Sequence, residues 1–204
     1  MSLRATQESE KTTALLAQLF AKNVVKNGDF ILKSGLRSSL YIDLRLLLNE
    51  PAIIKEISHL IYKKINVASI LNPKTKLCGV PYGALPFSCC VSTEYGLPQI
   101  IVRKESKKHG TKKLIEGVFA DGDELLIIED IVTTGSSIIE LITKLKTYNL
   151  KVQQIIVIID RTNDKMKKLK DLGYSVASIF ETVPASDPAS DPAPIPFTSQ
   201  ATPF

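Results

Sequence analysis

No apolar run in this 204-residue chain approaches the roughly 18 to 20 residues that span a bilayer, and the opening MSLRATQESEKTT has no apolar centre of the kind a secretory signal carries. Both absences point to a cytosolic chain with no membrane partner. Cysteine is scarce as well: Cys78, Cys89 and Cys90 make an odd number, two adjacent and none in a CxxC pair. That spacing argues against a disulfide framework and against a zinc site, and leaves them as small core residues. With 44% hydrophobic and 23% charged residues, nothing suggests collagen, coiled coil or disorder, and the length suits one domain with a sizeable core. The formal net charge of +5 is moderate. Its one dense basic stretch, Arg103 to Lys113, would attract nucleic acid or a small polyanion such as a diphosphate, and charge alone does not choose between them.

The last 23 residues, Thr182 to Phe204, hold six of the eleven prolines and a tandem ASDP, but no Lys or Arg. Such a segment has little with which to form ladders or a core. The expected division is a domain over residues 1–181 and an extended tail over 182–204. Within the domain, Leu15, Leu16, Leu19, Phe20 and Val24 suggest a first amphipathic helix ended by Asn27-Gly28-Asp29, and a hairpin follows over Phe30–Lys33 and Leu40–Leu44. From Pro51, apolar residues through Ile65 recur at helical spacing. Short runs at Leu77–Val80, Gln99–Val102, Glu124–Ile128 and Gln154–Ile159 then alternate with helices, which predicts an α/β domain with a mainly parallel sheet covered on both faces. Ligands of such folds sit at the carboxyl ends of the strands.

The richest loop follows the third of those runs. In LLIIEDIVTTGSSIIELITKL, Leu125 to Leu145, an apolar strand ends in Glu129 and Asp130, then Ile131 and Val132 lead to Thr133, Thr134, Gly135, Ser136 and Ser137 before a helix. Gly135 permits a tight turn, the hydroxyls add donors, and the helix presents its amino end, so the turn suits a phosphate monoester. The two acids would repel that phosphate if they faced it; they fit the vicinal hydroxyls of a sugar, so a ribose 5-phosphate matches both parts. An ordinary capped helix would use the same hydroxyls but would not need the acids. The missing GK[ST] ending excludes a Walker loop.

IIEDIVTTGSS resembles the 5-phosphoribosyl 1-diphosphate signature of the type I phosphoribosyltransferases. FILKSGLRSSLYIDLR (Phe30 to Arg45), GVPYGALP (Gly79 to Pro86), RKESKKHGTKKLIEG (Arg103 to Gly117) and IDRT (Ile159 to Thr162) are similar, in this order, to segments of the orotate phosphoribosyltransferase family. The resemblance implies a parallel-sheet core under a hood made of an N-terminal helix and a β-hairpin. It implies transfer of phosphoribosyl to orotate in pyrimidine biosynthesis, with Mg²⁺ carried by the diphosphate and no direct protein ligand to the metal. It implies that residues 133–137 hold the 5-phosphate and Glu129 and Asp130 the ribose. It further implies that Lys33 and Arg161 meet orotate, with Leu40 and Tyr41 near its ring and Thr133 donating to it.

Orotate is a flat anion, so a cation, a planar apolar surface and donors are what its pocket needs. The leaving diphosphate asks for mobile cations that exclude water; Arg103, Lys104, Lys107 and His109 lie in a loop suited to this. In the family that loop, residues 103–117, closes over the neighbouring subunit's site, which implies a homodimer with Lys107 as a catalytic group alongside Asp130. Tyr82-Gly83 stands where many bacterial members carry a lysine after the tyrosine, which shifts charge to Lys104 or Lys107. VPYGALP and KHGTKKLIEG are closer to the domain of bifunctional uridine monophosphate synthases, yet no decarboxylase-like lysine and aspartate array follows Glu181. Two rival readings are a transferase for another base, against which Lys33 and the hairpin argue, and a regulator that keeps the ribose-phosphate loop as a sensor and binds nucleic acid. The second lacks a recognisable winged helix ahead of the core.

Overall fold

The alternation of apolar runs and amphipathic segments resolves, in a computed structural model that describes residues 2–6, 10–31, 37–65, 72–105, 113–162, 164 and 166–183, into one central sheet and a separate hairpin. The elements in chain order are β1 Ser2–Ala5, α1 Glu10–Ala21, β2 Val25–Ile31, β3 Arg37–Ile42, a 3₁₀ turn Leu44–Asn49 and α2 Pro51–Lys64. They continue as β4 Thr75–Gly79, α3 Leu85–Tyr95, β5 Gln99–Val102, β6 Ile115–Glu116, β7 Glu124–Val132, α4 Ser136–Lys146, β8 Lys151–Asp160, α5 Lys167–Asp171 and β9 Ser175–Val183. The sheet order is β1-β9-β8-β7-β4-β5-β6. Its inner five strands are parallel, and β1 and β6 cap the edges antiparallel.

Strand alternation divides the core into two layers. Leu77, Leu126, Ile128, Ile156 and Ile158 face one side, where Leu15, Leu19, Leu40, Ile57, Ile61 and Phe87 from the helix–hairpin hood, α2 and α3 pack on them. Cys78, Leu125, Ile127, Ile155 and Val157 face the other and meet Ile138, Leu141, Ile142 and Leu145 of α4 and Leu169 of α5. Burying each large side chain is worth about 1.5–3 kcal/mol, so both layers are needed to hold the strand ends in register. Cys78 belongs to this core, and burial pushes its thiol up to about 12. Cys89 and Cys90 are only half-buried, a departure from the expected core placement, and all three cysteines are free.

Three features differ from the pattern read in the sequence. The first helix does not run to Asn27-Gly28-Asp29: it stops at Ala21, where Asn23 takes a φ of 56° and the Val24 amide closes on the Leu19 carbonyl at 3.0 Å. Asn27, Gly28 and Asp29 lie inside β2, where the pairing slips between Asn27↔Leu40 and Phe30↔Ser38 and absorbs one extra residue as a bulge. Strands β1 and β9 were not anticipated, because SLRA is too short to show a period. Pairing of Leu3 with Thr182 and of Ser2 with Val183 carries the last strand two residues past Glu181. No helix among the described residues is long and apolar enough to cross a membrane.

Candidate active site

At the carboxyl edge of the sheet, β4, β7 and β8 end side by side. Strand β7 is longer than its apolar run suggests and includes Glu129, Asp130, Ile131 and Val132. Alternation sends the two carboxylates to opposite sides of the strand. Glu129 is 5% exposed, and its Oε2 accepts no hydrogen bond among the described residues. Its carboxyl is pushed up to about 8, first by burial and then by the neighbouring Asp130, with Lys104 opposing. Asp130 is likewise raised by burial, partly offset by the Ile131 amide that donates to its Oδ1 at 2.9 Å and by the charge of Arg45.

Asp130 abuts the β4 turn so closely that a Cβ on Gly83 would lie 1.8 Å from Asp130 Oδ2, so this approach is open only to glycine. Tyr82, joined to Pro81 by a cis peptide bond, is 67% exposed, and the Lys104 ammonium sits 4.8 Å from its ring centroid. Lys104 therefore stands near both the β4 turn and Glu129.

Beyond Val132 the chain turns through Thr133, Thr134 and Gly135, which takes a φ of 72° just before α4. Gly135 has no side chain with which to cap the helix, so the amides of its first turn point into the bend. Thr134 Oγ1 lies 2.9 Å from Ser136 Oγ and accepts from the Ser136 amide at 3.4 Å. Thr133, Thr134, Ser136 and Ser137 are all exposed, while Val132 is buried as an anchor. The result is a donor-rich concavity open to solvent, with the buried Glu129 and the half-buried Asp130 a few residues upstream.

The remaining sequence-named residues divide sharply. Arg161 donates from one guanidinium nitrogen to Ser38 Oγ and to the Leu40 carbonyl, both at 3.0 Å, and burial lowers its pKa. It thereby ties the hairpin to the end of β8. Leu40 has its side chain wholly in the core, so only its backbone borders the site. Tyr41 is partly exposed and packs on Phe30, with ring centroids 5.4 Å apart. Arg103 turns away from the acids: its guanidinium holds Glu116 Oε1 at 2.7 and 2.8 Å, and its amide donates to the Leu114 carbonyl at 2.9 Å. Lys33, Lys107 and His109 lie outside the described residues.

Two residues missed in the sequence join the edge. Asp43 caps the 3₁₀ turn and grips Arg45 through contacts of 2.7 and 2.8 Å, lowering its own pKa and raising that of Arg45. Arg45 also feels the charge of Asp130 and Tyr41. An arginine two positions after a helix-capping aspartate, inside the YIDLR segment, was the available signal. A separate groove of about 460 Å³, lined by Leu114, Val118, Phe119 and Tyr148 among others, shares no residue with this cluster. We place the chemistry at the strand ends, where the acids and donors converge, and not in that groove.

Among the described residues no three His, Cys, Asp or Glu side chains group as a metal cage. An ion bound at this edge would take its oxygens from a ligand's phosphates and from water, the coordination that Mg²⁺ favours.

An α/β protein with a parallel sheet, a glycine-hinged hydroxyl turn and an acidic pair at one strand end belongs to the class that handles phosphorylated ligands at a switch of strand to helix. The phosphoribosyl transferase domain family matches residues 45–183, and the chain belongs to it. It is 40% identical to uridine 5'-monophosphate synthase of Caenorhabditis elegans, over 82% of this chain and 33% of that protein. It is 34% identical to orotate phosphoribosyltransferase of Pyrococcus abyssi, over 84% of this chain and 97% of that protein. Among solved structures, UMP synthase of Leishmania donovani superposes with a TM-score of 0.71 at 35% identity, over 83% of this chain and 36% of that one. The chain spans about a third of the length of the uridine 5'-monophosphate synthases it matches.

Proposed function

We propose that this chain transfers the phosphoribosyl group of 5-phosphoribosyl 1-diphosphate to orotate, giving orotidine 5'-monophosphate and diphosphate in cytosolic pyrimidine synthesis. The observation that carries the reading is Glu129: a buried carboxylate oxygen without a partner among the described residues, beside Asp130 and four residues before an exposed hydroxyl-rich bend, asks for a ligand with both hydroxyls and a phosphate. The similarity to an orotate phosphoribosyltransferase along nearly that protein's whole length selects the base. In the reaction the C1–O bond to diphosphate breaks with its electron pair, and the orotate ring nitrogen, its N–H proton passing to the departing diphosphate, supplies the pair that forms the new C1–N bond. Positive charge gathers on the ribose between these events, and the Asp130 carboxylate stabilises it. Residues 133–137 hold the 5-phosphate, Glu129 the ribose hydroxyls, and Tyr41 with the hairpin the flat base, while Lys33 and Arg161 offset the orotate carboxylate. Arg161 meets orotate only by sharing or exchanging its Ser38 and Leu40 contacts. Mg²⁺ would ride on the ligand's own diphosphate oxygens without a direct protein ligand, and bound there it would supply charge neutralisation to the diphosphate. Loss of orotate absorbance on mixing the protein with Mg²⁺ and 5-phosphoribosyl 1-diphosphate tests the reading; no loss, with the protein folded, would reject it.

A second part of the proposal is a homodimer in which the loop 103–117 serves the partner's site through Lys107 and His109. Lys107→Ala and Asp130→Asn are then each nearly inactive alone, whereas mixed dimers hold one site with both groups intact. Random pairing restores roughly a quarter of wild-type activity. Exchange of subunits verified by mass spectrometry, with no activity regained, would rule out action across the dimer.

A further inference from the structure

Lys144 lies in the last turn of α4, outside every motif, and its ammonium donates to the Lys104 carbonyl at 3.0 Å while pairing with Glu140 at 2.7 Å. Forty residues separate Lys144 from Lys104, and the Lys144 side chain is only 27% exposed although it sits on a surface helix. Lys104 carries the ammonium that stands over Tyr82 and opposes the raised pKa of Glu129. The chain just before Lys104 is held at Val102, paired with Ile115, and at Arg103, through Leu114 and Glu116. Helix α4 opens at the Gly135 bend, and eight residues at about 1.5 Å each put Lys144 about 12 Å further along one rigid element.

We propose that Lys144 is a positioning residue: by holding the Lys104 carbonyl it fixes the Lys104 ammonium over the Tyr82 ring, and it references that ammonium to the helix that begins at the phosphate turn. The inference deepens the function proposed above and rests on it. Glu140 neutralises Lys144, so Lys144 acts through its hydrogen bond to the Lys104 carbonyl rather than as a further cation for the ligand. Losing that bond leaves Lys104 chemically unchanged but less often in place, and small misplacements of a catalytic cation are costly.

The test is steady-state kinetics of Lys144→Met, Lys144→Arg, Lys104→Met and the Lys104→Met/Lys144→Met pair. Lys144→Met should lower kcat/KM for 5-phosphoribosyl 1-diphosphate about tenfold and leave KM for orotate within about twofold, with cooperative melting retained. Lys144→Arg should recover most of the loss, and Lys144→Met should cost nothing more once Lys104 is Met. Should Lys144→Met not melt cooperatively, Lys144→Gln takes its place in the same comparison. An unimpaired Lys144→Met in an active wild-type background, or a loss that multiplies with that of Lys104→Met, would overturn the inference alone. A wild-type chain that leaves orotate unconsumed would overturn the function and this inference together.

Discussion

Strands β7 and β8 are parallel neighbours, and each carries a buried acid near its carboxyl end, yet the two acids live differently. Asp160, 1% exposed, has its Oδ1 filled by the Thr162 amide at 2.7 Å and the Thr162 hydroxyl at 2.6 Å, and Thr162 in turn accepts from the Met166 amide at 2.7 Å. The next residue, Arg161, spends two hydrogen bonds on the hairpin. Glu129, 5% exposed, has an oxygen with no partner among the described residues, and Asp130 accepts from backbone amides at its own position and at Ile131. Burial alone does not mark a functional acid. A saturated acid is a brace for the turn that follows it; an unsaturated one holds hydrogen-bonding capacity in reserve for something the chain does not itself supply.

The contrast breaks first at Asp130. Asp130→Asn removes a charge whose main task is in the transition state, so kcat should fall about 10²-fold or more while the melting temperature holds or rises, since a raised carboxyl loses nothing by becoming neutral. Kinetics and thermal melting on the same preparation check it. A folded Asp130→Asn enzyme with near-normal kcat would place Asp130 with Asp160 as a brace.

A smaller effect belongs to Glu129 and appears as a pH dependence. Its carboxyl titrates near 8 in the folded chain and near 4.5 when unfolded, so between those values the folded state holds the extra proton. Stability from this group is thus complete below about 4.5 and is lost as pH rises through about 8. Wild type should therefore lose melting temperature relative to Glu129→Gln from about pH 5 to about pH 9. Over the same rise KM for 5-phosphoribosyl 1-diphosphate should improve in wild type only, because hydroxyls donate better to the ionised carboxylate. Parallel melting curves for the two proteins would show that Glu129 is not the unsatisfied group it is taken to be.

Which parts of this were legible in the chain follows from how far apart the partners are. Glu129 to Ser137 are consecutive residues, so strand, bend and helix are legible from local pattern and the acids with them, whereas the hairpin starts at Val25, five residues before Phe30, and β3 ends at Ile42, short of Leu44. Arg45, Lys144 and the Arg103–Glu116 clasp depend on contacts across many positions, or on a cap geometry that no period announces. Arg103 is an example: only the antiparallel pairing of Val102 with Ile115 explains why it faces Glu116 in this structure. Gly83 reads as an ordinary turn glycine until Asp130 is seen against it.

The smallest effect sharpens the other side of the comparison. Thr162→Val keeps the shape of the side chain but removes the hydroxyl that donates to Asp160 and accepts from Met166. One donor is lost to a carboxylate that keeps the Thr162 amide, and the Met166 amide is left to find water, so the cost should be about 1 kcal/mol in denaturant unfolding. Because this network supports the fold and not the chemistry, kcat should stay within about twofold. Asp160→Ala should cost more, roughly 1–3 kcal/mol, and the two changes should be less than additive, since both cut the same bond. Simple additivity would mean that Thr162 acts through Met166 alone. A kcat that drops with Thr162→Val while stability does not would show that the β8 end, like the β7 end, has been kept for the ligand.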